Sequence, residues 1–265
     1  MGFFETLEKR ISTCDSVVSV GLDPDPNRLP PFADGDLPRW AFNRRIIDAT
    51  HEHTACYKPN AAFYEDVNGW RALEETIAYA HGKGVPVLLD AKRGDIGNTA
   101  RQYATILEKV DAITVNPYMG HDALAPFLSK KDKGIFILCR TSNVGGADFQ
   151  NLDVGNGKRL FEYVAQRSAE WNENANIGLV VGATTPDELQ SVRELVSLPF
   201  LVPGIGAQGG DMEAAISYGL ADGVGLINSS RGIIFAGEGA PDEHSYLQTV
   251  SDAAKTLKTN LNSFR

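Results

Sequence analysis

Val85-Pro-Val-Leu-Leu-Asp-Ala-Lys-Arg-Gly-Asp-Ile96 begins as an apolar, β-branched run and ends abruptly in charge. Such a run reads as a strand buried on both faces, and the change of character marks the strand's end. Side chains two apart on a strand share a face, so Asp90 and Lys92 are expected to project together. A structural ion pair is the plain alternative. Charge is costly inside a packed interior, however, and a surface pair does not need such packing, so a functional cluster is the better reading.

Seven more runs of this kind lie at residues 16–22, 55–58, 112–116, 134–139, 177–181, 200–203 and 223–227, with helix-length segments between them. Apolar residues at three-to-four spacing predict helices over 39–53, 70–81, 100–109 and 158–171. Another opens at Thr185-Pro186 with acids in its first turn, and an extra helix over 3–14 precedes the first strand. Strictly alternating strands and helices point to an α/β fold with a parallel sheet. A doubly wound open sheet shows the same alternation, but eight units in 265 residues favour a single-domain (β/α)8 TIM barrel over residues 1–265, which typically needs about 250 residues. Residues 24–38, 140–157 and 232–243 form loops longer than usual. In a barrel the loops after the strands build the active site, which places Asp90 and Lys92 at its mouth.

Composition narrows the function. With 43% hydrophobic and 22% charged residues the chain is ordinary for a folded protein with one large core. No stretch approaches the roughly 20 apolar residues of a membrane span. The first ten residues mix acids with aromatics, unlike a signal peptide, so a cytoplasmic protein is expected. A formal charge of −9 argues against nucleic acid as a partner and means that an anionic ligand must be held by local groups. Cys14, Cys56 and Cys139 are odd in number and set among apolar neighbours, which reads as buried free thiols. The five histidines show no metal-ligand spacing, and no metal site is expected.

Two more strand ends carry charge: Gly21-Leu-Asp-Pro-Asp25 and Tyr57-Lys-Pro-Asn60. Asp23 and Lys58 are thereby expected to converge with Asp90 and Lys92, each supporting the ionised state of its neighbours. Asp25, between two prolines, reads as a turn cap. Strand seven runs into Pro203-Gly-Ile-Gly-Ala-Gln-Gly-Gly210 and strand eight into Asn228-Ser-Ser-Arg-Gly232. Glycines alone often only turn a chain. Paired with Arg231 on the adjacent loop, they suggest a phosphate site of backbone N–H groups and a guanidinium. Leu138-Cys-Arg-Thr-Ser-Asn143 offers short polar groups that either cap a loop or read the edge of a planar ring.

In order and spacing these motifs resemble the orotidine 5′-phosphate decarboxylase family, bacterial and archaeal type, with Asp90-Ala-Lys-Arg-Gly-Asp-Ile-Gly-Asn-Thr99 as the most specific. The resemblance spans nearly the whole chain. It implies decarboxylation of orotidine 5′-phosphate to UMP and CO2, the last step of pyrimidine nucleotide synthesis, by a homodimer that needs neither metal nor cofactor. It also implies a catalytic set of Lys92, Asp90, Asp95 and Lys58, in which Lys92 protonates C6 and Asp90 stands beside the departing carboxylate. Substrate-binding roles fall to Asp23, Thr99, Ile96, Ser142, Pro203, Gln208, Ser230 and Arg231. Asp23 and Lys58 bind ribose hydroxyls, Ser142 the pyrimidine amide, and Gln208 and Arg231 the phosphate. Asp95 and Thr99 serve the neighbouring subunit's site. Arg93 and the long loop after strand five depart from the commonest pattern; the latter leaves Thr141 as an alternative to Ser142. Rival readings are a metal-dependent phosphosugar decarboxylase or aldolase of the same superfamily and a non-catalytic nucleotide-binding barrel. Against the first, Lys58 stands where such relatives carry a metal-binding acid.

Overall fold

The computed structural model describes residues 1–183, 185–205, 211–221 and 223–265. Eight parallel strands form one sheet: β1 (Val18–Leu22), β2 (Cys56–Pro59), β3 (Leu88–Arg93), β4 (Ala112–Val115), β5 (Gly134–Arg140), β6 (Ile177–Val181), β7 (Phe200–Pro203) and β8 (Gly225–Ser229). Their order, β2-β1-β8-β7-β6-β5-β4-β3, leaves β2 and β3 at its ends. Bridges Tyr57↔Val87 and Asn60↔Asp90 join those ends and close the barrel. β1, β2, β4, β6 and β8 are buried along their whole length, as sheet covered on both faces requires.

The helix Phe3–Cys14 covers the N-terminal end of the barrel with Phe3, Leu7, Ile11 and Cys14. Phe3 sets its ring edge against Phe136, with centroids 6.0 Å apart. It also presses on the first residue of β5: a Cβ at Gly134 would lie 2.3 Å from the Phe3 ring, so only glycine fits. With that end plugged, the opposite end is left for chemistry.

The outer helices begin where the side chains allow. Asp66 accepts from the N–H of Gly69 ahead of Val67–Gly82, and Pro186 opens Pro186–Leu195. The helix expected over 100–109 starts earlier, as Gly97–Ala104, and tightens into a 3₁₀ turn over Thr105–Glu108. That expected over 39–53 ends at Thr50, before a 3₁₀ turn. The helix Glu243–Asn262 closes the ring against Pro38–Thr50. Among the described residues, no helix is long and apolar enough to cross a membrane.

The third strand differs from expectation. It runs on to Arg93 instead of stopping at Asp90, with a register break: Leu89 pairs with Ile113 and Arg93 with Val115. Asp90, Ala91 and Lys92 therefore stand opposite Thr114 alone, a bulge that bends the strand where its charges begin. Lys92 has φ 47°, in the left-handed region, so simple alternation does not describe it.

Candidate active site

At the C-terminal mouth, β2 and β3 bring Lys58 and Asp90 together, both buried. Lys58 Nζ donates to Asp90 Oδ2 at 3.0 Å, and Lys92 Nζ donates to Oδ1 at 2.6 Å. Asn60 Nδ2 adds a 3.3 Å bond to Oδ2, and the Thr114 hydroxyl donates to Oδ1 at 2.8 Å. Burial alone would raise the Asp90 carboxyl, but Lys58 and Lys92 outweigh it and hold the group well below the usual carboxylate range. Burial works likewise to lower Lys58, yet Asp90 and then Asp23 keep its ammonium above the ordinary lysine value. The result is an ionised carboxylate between two cations, of which Lys92 is the more exposed, its side chain 46% accessible.

Asp23 and Ser230 meet across the β1–β8 seam, where Val20 pairs with Ser229. Ser230 Oγ donates to Asp23 Oδ2 at 2.7 Å. This approach needs Gly21, since a Cβ there would come within 2.6 Å of Ser230 Cβ. The other oxygen of Asp23, Oδ1, is buried with no hydrogen-bond partner among the described residues.

Asp23, Lys58, Asn60, Asp90, Pro203, Ser230 and Arg231 line one cavity of about 170 Å³; Lys92, joined to it through Asp90, is not one of its lining residues. Arg231 starts the short helix Arg231–Ile234 and is exposed, and its side chain makes no hydrogen bond or ion pair among the described residues. Gln208 lies outside the described residues. Asp25 caps a turn as expected, accepting from Asn27 N–H at 2.9 Å.

Other expected members stand apart. Asp95 follows β3 and accepts from the N–H of Ile96, with no ion pair among the described residues. Ile96 and Thr99 are exposed. Asp95, Ile96, Thr99 and Ser142 do not line the cavity. Of the two candidates after β5, the Thr141 hydroxyl is committed to Asn143 Oδ1 at 2.7 Å and to Gln150. The base of that loop is anchored by a buried ion pair, Arg140 Nε to Glu188 Oε2 at 2.7 Å, which ties it to the segment after β6.

Sequence reasoning passed over Asn60 and Thr114 as members of the site. Both left a signal: Asn60 ends the Tyr57-Lys-Pro-Asn60 motif, and Thr114 is the polar residue in an otherwise apolar strand, Ala112-Ile-Thr-Val115. Arg93 is accounted for without a catalytic role, paired with Glu65 at 3.0 Å and set 5.1 Å from the Tyr103 ring centroid.

A Natronomonas pharaonis protein named orotidine 5′-phosphate decarboxylase is 76% identical over 269 residues, covering all of both chains. Its namesake from Halorubrum lacusprofundi is 67% identical, again over both full lengths. Among solved structures, Leishmania donovani OMP decarboxylase superimposes with a TM-score of 0.86 at 44% identity, over 100% of this chain and 99% of that one. Leishmania donovani UMP synthase matches all of this chain but only 56% of its own length, with TM-score 0.87 and 45% identity. Residues 16–243 match the sequence pattern of one family throughout, and on that match and these relatives the chain belongs to the orotidine 5′-phosphate decarboxylase / HUMPS family.

Proposed function

We propose that Lys92, Asp90, Lys58 and Asp23 carry out the decarboxylation of orotidine 5′-phosphate to UMP and CO2, within a domain spanning residues 1–265. The observation that carries this is Asp90, held ionised between Lys58 and Lys92 at the wall of a cavity whose other wall bears Arg231. Arg231 takes the phosphate, with Gln208 and the backbone after Pro203. Asp23 Oδ1, Lys58 and Ser230 address the ribose, and Ser142 the pyrimidine edge. The substrate carboxylate then faces Asp90. The bond from C6 to the carboxylate breaks, its electron pair stays on C6, and Lys92 Nζ delivers a proton there before recovering one from solvent. No electron sink is needed if fixed charge stabilises the carbanion, and the Lys92 ammonium, held on Asp90 Oδ1 at 2.6 Å, is the cation to supply it.

The working unit in this reading is a homodimer, with Asp95, Ile96 and Thr99 completing the partner's site. Two features support it. Asp95 has no ion pair among the described residues, and Thr99 is exposed. Large apolar side chains also stand exposed on the segments after β2, β3 and β4: Val67 at 83%, Ile96 at 60% and Tyr118 at 87%.

An ultraviolet assay of orotidylate consumption, with and without chelator, tests the reading. Consumption unaffected by chelation is the expected result. Loss on chelation favours the metal-dependent relative, and no consumption at all favours a binding protein.

A further inference from the structure

We infer that Thr114 is a positioning residue for decarboxylation: its hydroxyl holds the β3 bulge in the one conformation that aims Asp90 and Lys92 at the same point. The inference rests on the catalytic roles proposed for those two residues.

Thr114 is 1% exposed, in the middle of β4. Its oxygen serves two partners at once. It accepts from the backbone N–H of Lys92 at 2.9 Å and donates to Asp90 Oδ1 at 2.8 Å. Those partners are the two ends of the bulge, the stretch that has three residues opposite one of β4. A regular ladder would satisfy the Lys92 N–H with a backbone carbonyl; here the hydroxyl takes that place.

The need for such a clamp follows from Lys92. A residue with a Cβ at φ 47° is strained, and it keeps that conformation only where its surroundings enforce it. The hydroxyl also fixes the orientation of the Asp90 carboxylate. With Oδ1 receiving both Thr114 Oγ1 and Lys92 Nζ, and Oδ2 receiving Lys58 and Asn60, the plane of the group has no freedom left. Thr114 therefore sets the backbone from which Lys92 departs and the anion on which its ammonium rests. It does not line the cavity, so it acts through these two residues.

The test compares Thr114→Val, which keeps the shape and removes the hydroxyl, with Thr114→Ser, which keeps the hydroxyl. Orotidylate consumption gives kcat and KM, calorimetry gives UMP affinity, and thermal unfolding reports integrity. Thr114→Val should lose kcat by about 10- to 100-fold, the scale of one hydrogen bond to a charged group, with UMP affinity changed less than about threefold. Thr114→Ser should restore most of kcat. A Thr114→Val enzyme with normal kcat, a parallel loss of UMP binding and kcat, or a serine variant as poor as the valine one would overturn the inference. If Thr114→Val does not fold, Thr114→Ala removes the hydroxyl without placing a methyl against the carboxylate and carries the same comparison. Wild-type turnover in the same assay separates the two layers: a wild type that leaves orotidylate untouched refutes the proposed activity, whereas unaffected variants of an active enzyme refute only the role of Thr114.

Discussion

Lys92 Nζ lies 2.6 Å from Asp90 Oδ1, while Lys58 occupies the opposite oxygen of the same carboxylate at 3.0 Å. The two lysines differ in what surrounds them: Lys58 is buried, and nearly half of the Lys92 side chain is accessible. Lys58 is thus suited to holding Asp90 ionised, and Lys92 to meeting substrate. Asp90 keeps both cations in place.

Lys92→Ala is expected to abolish orotidylate turnover while the barrel stays folded, and substantial residual turnover would remove Lys92 as the proton donor. The backbone makes a second prediction at this position. Because φ is 47°, Lys92→Gly should be more stable than Lys92→Ala by about 1 kcal/mol in urea denaturation, the left-handed conformation costing glycine nothing. Equal stabilities would mean that the bulge carries no strain.

Lys58→Met leaves Asp90 buried with one cation instead of two, and should cost on the order of 3 kcal/mol at pH 7. The pH dependence follows from direction. Asp90 titrates below its unfolded value in the fold, so its contribution is present above the ordinary carboxylate range and is lost as pH falls through that range toward the depressed value. Without Lys58 the carboxyl is less depressed, and less is lost on acidification. The stability gap between wild type and Lys58→Met should therefore narrow below about pH 4. A gap that stays constant or widens in denaturation series at several pH values contradicts this account.

The barrel was legible because its signal repeats. Eight apolar runs fell within a few residues of eight strands, and Asp23, Lys58 and Asp90 stood where those runs stopped. Period-two alternation did predict that Asp90 and Lys92 share a face, but for an incomplete reason. The residues are brought together by a bulge and a left-handed backbone, which depend on a hydroxyl from the next strand. That dependence joins residues 22 apart, and no local pattern encodes it. Asp95 illustrates a different limit. The family resemblance assigns it to the neighbouring subunit's site, a relation between chains that no strand pattern within one chain encodes; in its own chain its Oδ1 accepts from the backbone N–H of Ile96.

Cys14, Cys56 and Cys139 are free and buried, and burial pushes all three thiols upward. The thiolate is the reactive form, so the native protein should resist an aromatic disulfide reagent at pH 8 and release three equivalents only after denaturation. Rapid labelling of a thiol under native conditions would show that the fold opens locally near it.

Arg231→Ala should weaken UMP binding by roughly 100-fold, the scale of a charge-assisted guanidinium–phosphate contact, and leave uridine binding almost unchanged. Calorimetry with the two ligands makes the comparison. An equal loss for both would assign Arg231 to the structure of the β8 loop rather than to the phosphate.

If Asp95 completes the partner's site, the positions of Asp95 and Lys92 allow complementation between two inactive variants. Lys92→Ala lacks the proton donor of its own cavity, and Asp95→Ala lacks the acid it offers across the interface. Mixing the two by reversible unfolding yields heterodimers in which one site carries both defects and the other carries neither. With random reassortment of a two-fold dimer, half the molecules are mixed and about a quarter of all sites are intact. Activity should rise from near zero in either parent to about a quarter of wild type in the equimolar mixture. A mixture that stays inactive, with mixed dimers demonstrated by a mass tag, would place Asp95 in its own chain's site and leave the exposed Ile96 and Tyr118 without the interface assigned to them.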